Sequence, residues 1–354
     1  MAAHSSKHQN KLTSNPFSLV FGKCPSAIIE RPMQVEEIVQ AFTAKESSQQ
    51  IFMVTGVRGF GKTVLMTSIA KRIAANKEWV HIELNPTIDL LSSLLSKLNS
   101  NKTCLEILKG AKLNLSFFGF SVSFSGAAEI KDKEVAIAEI LKNFKKHNKR
   151  LLITIDEATN TQQMRTFAST FQILVRQDLP IFLIMTGLYN NISNLQNAEN
   201  LTFLYRAPKI HLQPLNVQAV ANEYKKIFVL DEQAAQNMAE LTRGYPFAFQ
   251  LLGYLTWQNG SLSDNVLENY ELYLAEYVYD KIWSELSARD RQVCQAIAQC
   301  GEGATSSVLA ELNITQNQFN PYRKRLLQRG VVRANARGSL CFTLPAFNKY
   351  CLAN

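Results

Sequence analysis

The sequence predicts an α/β fold in which a parallel sheet carries helices on both faces, followed by a helical lid and a C-terminal winged helix-turn-helix. Three observations support this prediction. Short apolar strands alternate with amphipathic helices, a pattern typical of parallel sheets. A glycine-rich loop joins the first strand to the helix after it. Beyond about residue 215 the strand patterns end, and helices follow until a late hairpin.

Composition limits the class of protein. The chain has 354 residues, of which 46% are hydrophobic and 19% are charged, and this excludes a disordered chain. No apolar run approaches the length of a transmembrane helix, and the first 15 residues lack the apolar segment of a secretory signal. We therefore expect a disordered tail over 1–15 and a cytoplasmic protein without membrane contact. The six cysteines form no Cys-x-x-Cys pair, which favours free thiols, and the net charge of +9 permits an anionic partner such as nucleic acid.

The elements of the predicted fold follow in chain order. Helical spacing of Val35, Ile38 and Phe42 predicts a helix from about Met33. The predicted domains are the α/β domain over 16–210, the lid over 211–283 and the winged helix over 284–354. Apolar runs predict strands at 51–55, 79–84, 151–155, 181–185 and 209–212, and helical periodicity predicts helices at 62–75, 90–98, 129–147 and 161–176.

An alternating segment at 112–125, KLNLSFFGFSVSFS, predicts a β-hairpin inserted into the first domain. Its aromatic side chains suit either packing in a core or a platform on which bases stack, and the sequence leaves both interpretations open. These side chains are Phe117, Phe118, Phe120 and Phe124.

The segment 56–63, GVRGFGKT, matches the phosphate-binding pattern G-x-x-x-x-G-K-[ST] in full. It follows an apolar strand and opens a helix, which is the context that the pattern requires. Glycines let successive backbone N–H groups turn towards phosphate oxygens, and the positive N-terminus of the helix favours the same anion. We expect Lys62 to contact the β- and γ-phosphates of ATP or ADP and Thr63 to bind Mg²⁺. The predicted nucleotide contacts in this segment are Gly56, Val57, Arg58, Gly59, Phe60, Gly61, Lys62, Thr63 and Val64.

Polar residues end two later strands. Asp156 and Glu157 follow the strand at 151–155. We expect Asp156 to bind Mg²⁺, directly or through water, and Glu157 to orient or deprotonate the attacking water. Thr186 ends the strand at 181–185, and we expect it to lie beside the Asp156 strand and contact the γ-phosphate or that water. The alternatives are acids at a helix N-terminus and an ordinary strand end.

Together these motifs resemble the additional-strand, catalytic-glutamate branch of P-loop ATPases, and within it the AAA+ and STAND ATPases. The likeness is strongest to archaeal-type and origin-recognition initiator ATPases with a C-terminal winged helix, over about residues 16–354. The resemblance implies an adenine contact at Arg31, a proline near the nucleotide at Pro246 and an arginine finger at Arg206. The alternatives are a plain amphipathic helix after Arg31, a purely structural helix cap at Pro246 and a solvated surface arginine at Arg206. The helix after Pro246 lacks the sensor-2 arginine of many AAA+ proteins, and Arg243 is the nearest candidate.

The predicted winged helix is basic. Residues 285–354 contain nine Lys or Arg and four Asp or Glu. Basic residues in a recognition helix and wing typically contact DNA phosphates, so we expect double-stranded DNA as a partner. The alternatives are a winged helix that serves as a protein-interaction or packing module, and a run of charge that is only a solvated face. The predicted DNA contacts are Arg323, Lys324, Arg325, Arg333 and Arg337.

Two functions of different class fit this sequence. The first is an Mg²⁺-dependent ATPase that couples its nucleotide state to DNA binding or assembly, with a homo-oligomer as the implied assembly. The second is a nucleotide switch with slow or absent turnover, whose winged helix binds a protein partner. A phosphoryl transferase is a weaker third hypothesis because the chain has no evident motif for an acceptor substrate.

Overall fold

The structure, a computed structural model, describes residues 14–20, 25–110, 132–301, 304–335 and 338–354. The chain divides into two units. The first unit comprises Glu30–Val57 and Gly61–Gln213, and the second comprises Met1–Ile29, Arg58–Phe60 and Pro214–Asn354. The predicted hairpin at 112–125 and residues 1–13 of the predicted tail lie outside the described residues.

A five-stranded sheet organises the first unit, with strand order β2-β3-β4-β1-β5. Every neighbouring pair of these strands is parallel. The parallel sheet predicted from the alternation of strands and helices is therefore confirmed. The strands are β1 (Ile51–Thr55), β2 (Trp79–Leu84), β3 (Arg150–Ile155), β4 (Ile181–Gly187) and β5 (Lys209–His211).

Burial follows position in the sheet. The central strands β1 and β4 are buried at every residue, and β3 is buried from Leu151 onwards, as expected for strands covered on both faces. The edge strand β2 alternates instead, with His81 partly exposed and Glu83 exposed. Continuous apolar runs such as IFMVT and LLITI thus mark the centre of the sheet.

Helices of the first unit pack their apolar stripes against this sheet. In α1, Ile38 and Phe42 are fully buried, and α6 buries Phe167 and Phe171 in the main core cluster. These helices are α1 (Pro32–Thr43), α2 (Lys62–Ala74), α3 (Leu90–Ser100), α4 (Lys102–Gly110), α5 (Lys133–Lys146), α6 (Gln162–Arg176) and α7 (Tyr189–Gln196), followed by a 3₁₀ turn at Thr202–Arg206.

The second unit is mainly helical within its described residues. Pro246 starts α10 at a position where proline suits a helix, and Phe17 packs its ring against Phe249 of that helix. The helices up to residue 285 are α8 (Val217–Phe228), α9 (Glu232–Glu240), α10 (Pro246–Asn259), α11 (Asp264–Leu274) and α12 (Asp280–Glu285), with one π turn at Ala275–Tyr279 before α12.

The end of the chain has the element order of a winged helix, three helices followed by a hairpin. Strands β6 and β7 pair antiparallel, with Val332 opposite Phe342. A closing helix, α16, was not predicted from the sequence. The elements are α13 (Ala288–Gln299), α14 (Thr305–Leu312), α15 (Gln316–Arg329), β6 (Val332–Ala334), β7 (Leu340–Phe342) and α16 (Phe347–Ala353).

Among the described residues, no helix has both the length and the apolar content needed to cross a bilayer. The boundaries predicted for the three domains stay a prediction.

Candidate functional site

The predicted phosphate loop leaves β1 at Gly56 and enters α2 at Lys62. Gly61, the residue before the helix, has a φ of 80°, a left-handed conformation that glycine adopts without strain. The ammonium of Lys62 donates hydrogen bonds to the carbonyls of Gly56 at 3.1 Å and Val57 at 3.0 Å. The lysine therefore lies back over the start of the loop, with its charge close to the backbone that would hold a phosphate.

The carboxylate of Asp156 links three elements of the first unit. The Thr63 hydroxyl, in the first turn of α2, donates to Oδ2 of Asp156 at 2.5 Å. The hydroxyl of Thr186, fully buried at the end of β4, donates to Oδ1 of the same carboxylate. The structure thus brings together the predicted residues Thr63, Asp156 and Thr186 across 30 to 93 positions of sequence.

Glu157 has an unusual backbone conformation, with a φ of 54°. Non-glycine residues rarely adopt such values, and strain of this kind tends to occur at functional sites. Its N–H donates to Oδ1 of Asp156 at 3.0 Å and to Oγ1 of Thr186 at 3.3 Å. The Glu157 side chain is exposed, so its carboxylate projects towards solvent from a backbone held on both sides.

The donor set fits a magnesium ion. Mg²⁺ binds few protein oxygens and keeps several waters and substrate phosphates as ligands. Thr63 and Asp156 supply one hydroxyl and one carboxylate in direct contact. No group of three or more His, Cys, Asp or Glu suitable for a metal occurs among the described residues.

His211 is a polar residue of this region that was not predicted from the sequence. It ends β5 opposite Thr55, the last residue of β1, and its Nδ1 lies 3.0 Å from the buried Thr55 hydroxyl. Burial lowers the pKa of His211, and the charge of Lys62 lowers it further. The imidazole is therefore neutral near pH 7, and its contact holds the side chain of Thr55, the residue directly before the loop. The sequence offered no signal, because only strand register pairs these two residues.

Arg31 and Arg206 are the two remaining predicted site residues of the first unit. Arg31 directly precedes α1, and burial lowers the pKa of its guanidinium. Arg206 ends the 3₁₀ turn before β5 and is exposed. The adenine contact and the arginine finger expected at these positions stay predictions.

In the second unit, Tyr245 precedes Pro246 and is completely buried. Its hydroxyl donates to the carbonyl of Arg58 at 2.8 Å, and its ring lies 5.4 Å from that of Phe60. The guanidinium of Arg58 lies 3.9 Å from the carboxylate of Glu285. Arg58 and Phe60 thus have defined partners in the second unit, whereas a contact of Pro246 with nucleotide stays a prediction.

Arg243, the nearest candidate for a sensor-2 arginine, has a partner in the same unit. Its guanidinium donates to the carbonyl of Phe342 in β7 at 2.9 Å. This contact ties the segment before α10 to the hairpin, which is a structural task for the arginine.

The basic residues of the predicted winged helix, residues 284–354, differ in what they contact. Lys324 and Arg333 are exposed, and Arg323 is half-buried. Arg325 instead forms a fork on Asp290, with contacts of 2.7 to 3.0 Å, and Asp290 is 1% exposed. The sequence did not reveal this use of Arg325, because Asp290 lies 35 residues upstream. Arg337 lies outside the described residues.

Comparisons with known proteins show the fold. The Walker-type ATPase PABY2304 of Pyrococcus abyssi aligns with 92% of this chain and 96% of its own, with a TM-score of 0.63 and 13% identity. The ORC2 protein of Aeropyrum pernix, solved as ADPNP–ADP complexes, aligns with 94% of this chain and 95% of its own, with a TM-score of 0.59 and 15% identity. The expected resemblance to origin-recognition-like P-loop ATPases is therefore confirmed for the fold.

Comparisons of sequence are less informative. Residues 276–351 match a family model described as a domain of unknown function, DUF8462. No curated protein matches the chain.

Proposed function

We propose that this chain is an Mg²⁺-dependent ATPase. The observation that carries the proposal is the convergence of Thr63 and Thr186 on the Asp156 carboxylate, beside a complete phosphate-loop motif. The fold shared with a Walker-type ATPase and with a nucleotide-bound ORC2 protein supports it.

Each residue has a distinct task in this proposal. Lys62, whose ammonium already lies among the carbonyls of the loop, compensates charge on the β- and γ-phosphates. Thr63 and Asp156 hold the metal, and bound Mg²⁺ would neutralise charge that develops on the phosphates. Glu157 accepts a proton from the attacking water, or orients that water, from its solvent-facing position.

Thr186 acts in this proposal through its neighbours. Its hydroxyl holds one oxygen of Asp156 and accepts the N–H of Glu157, so it sets the orientation of both acids. The carbonyl of Thr186 also accepts the N–H of Ala158 at 2.8 Å, which secures the segment after the acids. A γ-phosphate contact by Thr186 remains part of the proposal.

We further propose that the winged-helix region binds double-stranded DNA and that nucleotide state alters this binding. Lys324 on α15 and Arg333 on β6 are exposed, and this supports the proposal. In a winged helix these elements would be the recognition helix and the wing, where exposed cations suit contacts with DNA phosphates. The contact between Arg243 and Phe342 supports coupling, because it joins the segment before α10 to strand β7 of the C-terminal hairpin.

One observation favours the nucleotide switch with a protein partner. Arg325 and Arg329, two of the basic residues on α15, donate to Asp290 and to the carbonyl of Glu285. These contacts reduce the cationic surface left for DNA and suit a packing role for the region. A homo-oligomer, in which Arg206 would act on a neighbouring subunit, also belongs to the proposals.

Hydrolysis of ATP by the purified chain, with and without duplex DNA at low salt, tests these proposals together. We expect Lys62→Ala to lower turnover by about a hundredfold, since it removes a group that compensates phosphate charge. Lys71→Ala, at an exposed lysine of the same helix, is the matched control. Stimulation by DNA that Lys62→Ala abolishes supports the DNA-linked ATPase. Bound ADP retained through purification, without turnover or DNA binding, would favour the switch.

A further inference from the structure

Tyr245 makes a single side-chain hydrogen bond to the backbone at the centre of the phosphate-loop motif. The side chain is 0% exposed, and its hydroxyl donates to the Arg58 carbonyl at 2.8 Å. Burial raises the pKa of Tyr245, so the hydroxyl keeps its proton and remains a donor at any working pH. The hydrogen bond lies wholly within the second unit.

The geometry of the peptide gives this contact a consequence for the loop. The Arg58 carbonyl and the Gly59 N–H belong to one peptide group, and every described peptide bond is trans. In a planar trans peptide the C=O and N–H point in opposite directions. Because the Tyr245 hydroxyl holds the carbonyl, the N–H of Gly59 must point away from Tyr245.

Glycine at position 59 makes such a constraint necessary. Gly59 has a φ of 77°, and glycine adopts positive and negative φ with similar ease. The peptide before it can therefore flip at little cost unless a partner holds it. A Cβ at this position would lie 2.3 Å from the Tyr245 hydroxyl, so the close approach of the tyrosine also requires glycine.

We propose that Tyr245 is a positioning residue of the phosphate loop: its hydroxyl fixes the Arg58–Gly59 peptide so that the Gly59 N–H is presented to bound phosphate. This inference rests on the proposed nucleotide binding and adds a residue that the motif does not contain. The partner of the Arg58 carbonyl is thus Tyr245, the residue directly before α10 in the same unit.

A pair of matched variants tests the inference. Tyr245→Phe removes only the hydroxyl, and so does Tyr224→Phe, at a second fully buried tyrosine whose hydroxyl donates to the Phe249 carbonyl at 2.8 Å. Both variants lose one hydrogen bond and should lower the melting temperature alike. We expect only Tyr245→Phe to raise the Kd and KM for MgATP, by about fivefold. Its kcat should change little, because the ground state and the transition state lose the same contact.

A second measurement needs no nucleotide. Trypsin cleaves after arginine, and the Arg58–Gly59 bond is the peptide that Tyr245 holds. Loss of one hydrogen bond should raise the population of open loop, and thus the cleavage rate at Arg58, by about fivefold in Tyr245→Phe. Mass spectrometry of the fragments gives the rate of cleavage at Arg58, which should be the same in Tyr224→Phe as in wild type.

The outcomes separate this inference from the proposed function. Equal cleavage at Arg58 in both variants, or equal Kd values for MgATP, would overturn the role of Tyr245 even if the wild type binds ATP. Selective cleavage in Tyr245→Phe, with no ATP binding by wild type, would overturn the proposed function and with it the role in nucleotide binding. Selective effects on both cleavage and Kd are the expected result.

Discussion

Two polar regions of this molecule use their side chains in opposite ways. At the carboxyl ends of β3 and β4, Thr63 and Thr186 converge on one carboxylate and leave Glu157 exposed. On α15 of the second unit, Arg325 and Arg329 donate to partners within the unit itself. The first arrangement gathers groups around a point where a ligand can bind, whereas the second uses charge to hold helices together.

The difference has a physical origin in secondary structure. Parallel strands end at one edge of a sheet, so polar residues that follow different strands come together there whatever their separation in sequence. A helix distributes its side chains around an axis, so a run of basic residues is divided between the buried side and the exposed side. A motif at strand ends therefore predicts a site more securely than a count of charges on a helix.

The largest expected effect tests the convergent site. Glu157→Gln keeps the shape of the side chain but removes its basicity, so kcat should fall by about a hundredfold or more. The Kd for MgATP should change little, because Glu157 does not belong to the phosphate loop. Glu199→Gln, at an exposed glutamate of the same unit, is the control, and both variants are compared in steady-state hydrolysis and in nucleotide titrations. Undiminished hydrolysis by Glu157→Gln would reject the assignment.

The next effect distinguishes Arg325, which is paired with Asp290, from the adjacent exposed Lys324 by their contributions to stability. Arg325→Ala leaves the Asp290 carboxylate buried without its ion partner, which should lower the free energy of unfolding by about 3 kcal/mol. Lys324→Ala, at the adjacent exposed position, should change it by less than about 0.5 kcal/mol. Urea denaturation of both variants decides between them. Equal losses would remove the distinction between the two residues.

A smaller effect concerns the exposed cations. If Lys324 and Arg333 contact DNA phosphates, alanine at either should weaken duplex binding and lower the slope of log affinity against log salt by about 1. Lys226→Ala is a suitable control, since its side chain is 78% exposed on α8. Fluorescence anisotropy over a series of salt concentrations gives the slopes. A slope reduced to the same extent by the control would point to general electrostatics.

The smallest effect is a pH dependence of stability. Burial raises the pKa of Asp290, but hydrogen bonds from Arg325 and Ser287 outweigh it and place the pKa below its usual range. Asp290 therefore takes up its proton at a higher pH in the unfolded chain than in the folded one. Its ion pair stabilises the fold fully above the ordinary aspartate pKa of about 4, and this stabilisation is lost as the pH falls towards the lower pKa of the folded protein.

Asp290→Asn should remove this contribution and flatten the stability of the second unit between about pH 5 and 3, relative to wild type. Urea titrations at both pH values measure the difference. The same slope in variant and wild type would show that other carboxyl groups dominate the acid response.

Much of the fold followed from local patterns. The apolar runs at 51–55 and 79–84 coincide with β1 and β2, and the expectation that β4 lies beside β3 is confirmed by their pairing. The C-terminal helix α16 was missed, because its seven residues carry too short a pattern to identify. In the candidate site, Thr63 and Asp156 were chosen from motifs, and a hydrogen bond joins them in the structure, whereas the metal expected between them stays a prediction.

The sequence alone determined the class of fold and contains the complete phosphate-binding motif, because strand runs, helix periodicity and a glycine motif are short-range properties of the chain. Only the tertiary structure decided which partners the polar side chains take. It placed His211 on Thr55, Arg325 on Asp290 and the Tyr245 hydroxyl on the Arg58 carbonyl. These contacts join residues that are 35 to 187 positions apart in the sequence. An unpaired polar group is costly only when it is buried, so the fold decides which polar groups must pair and with which partners.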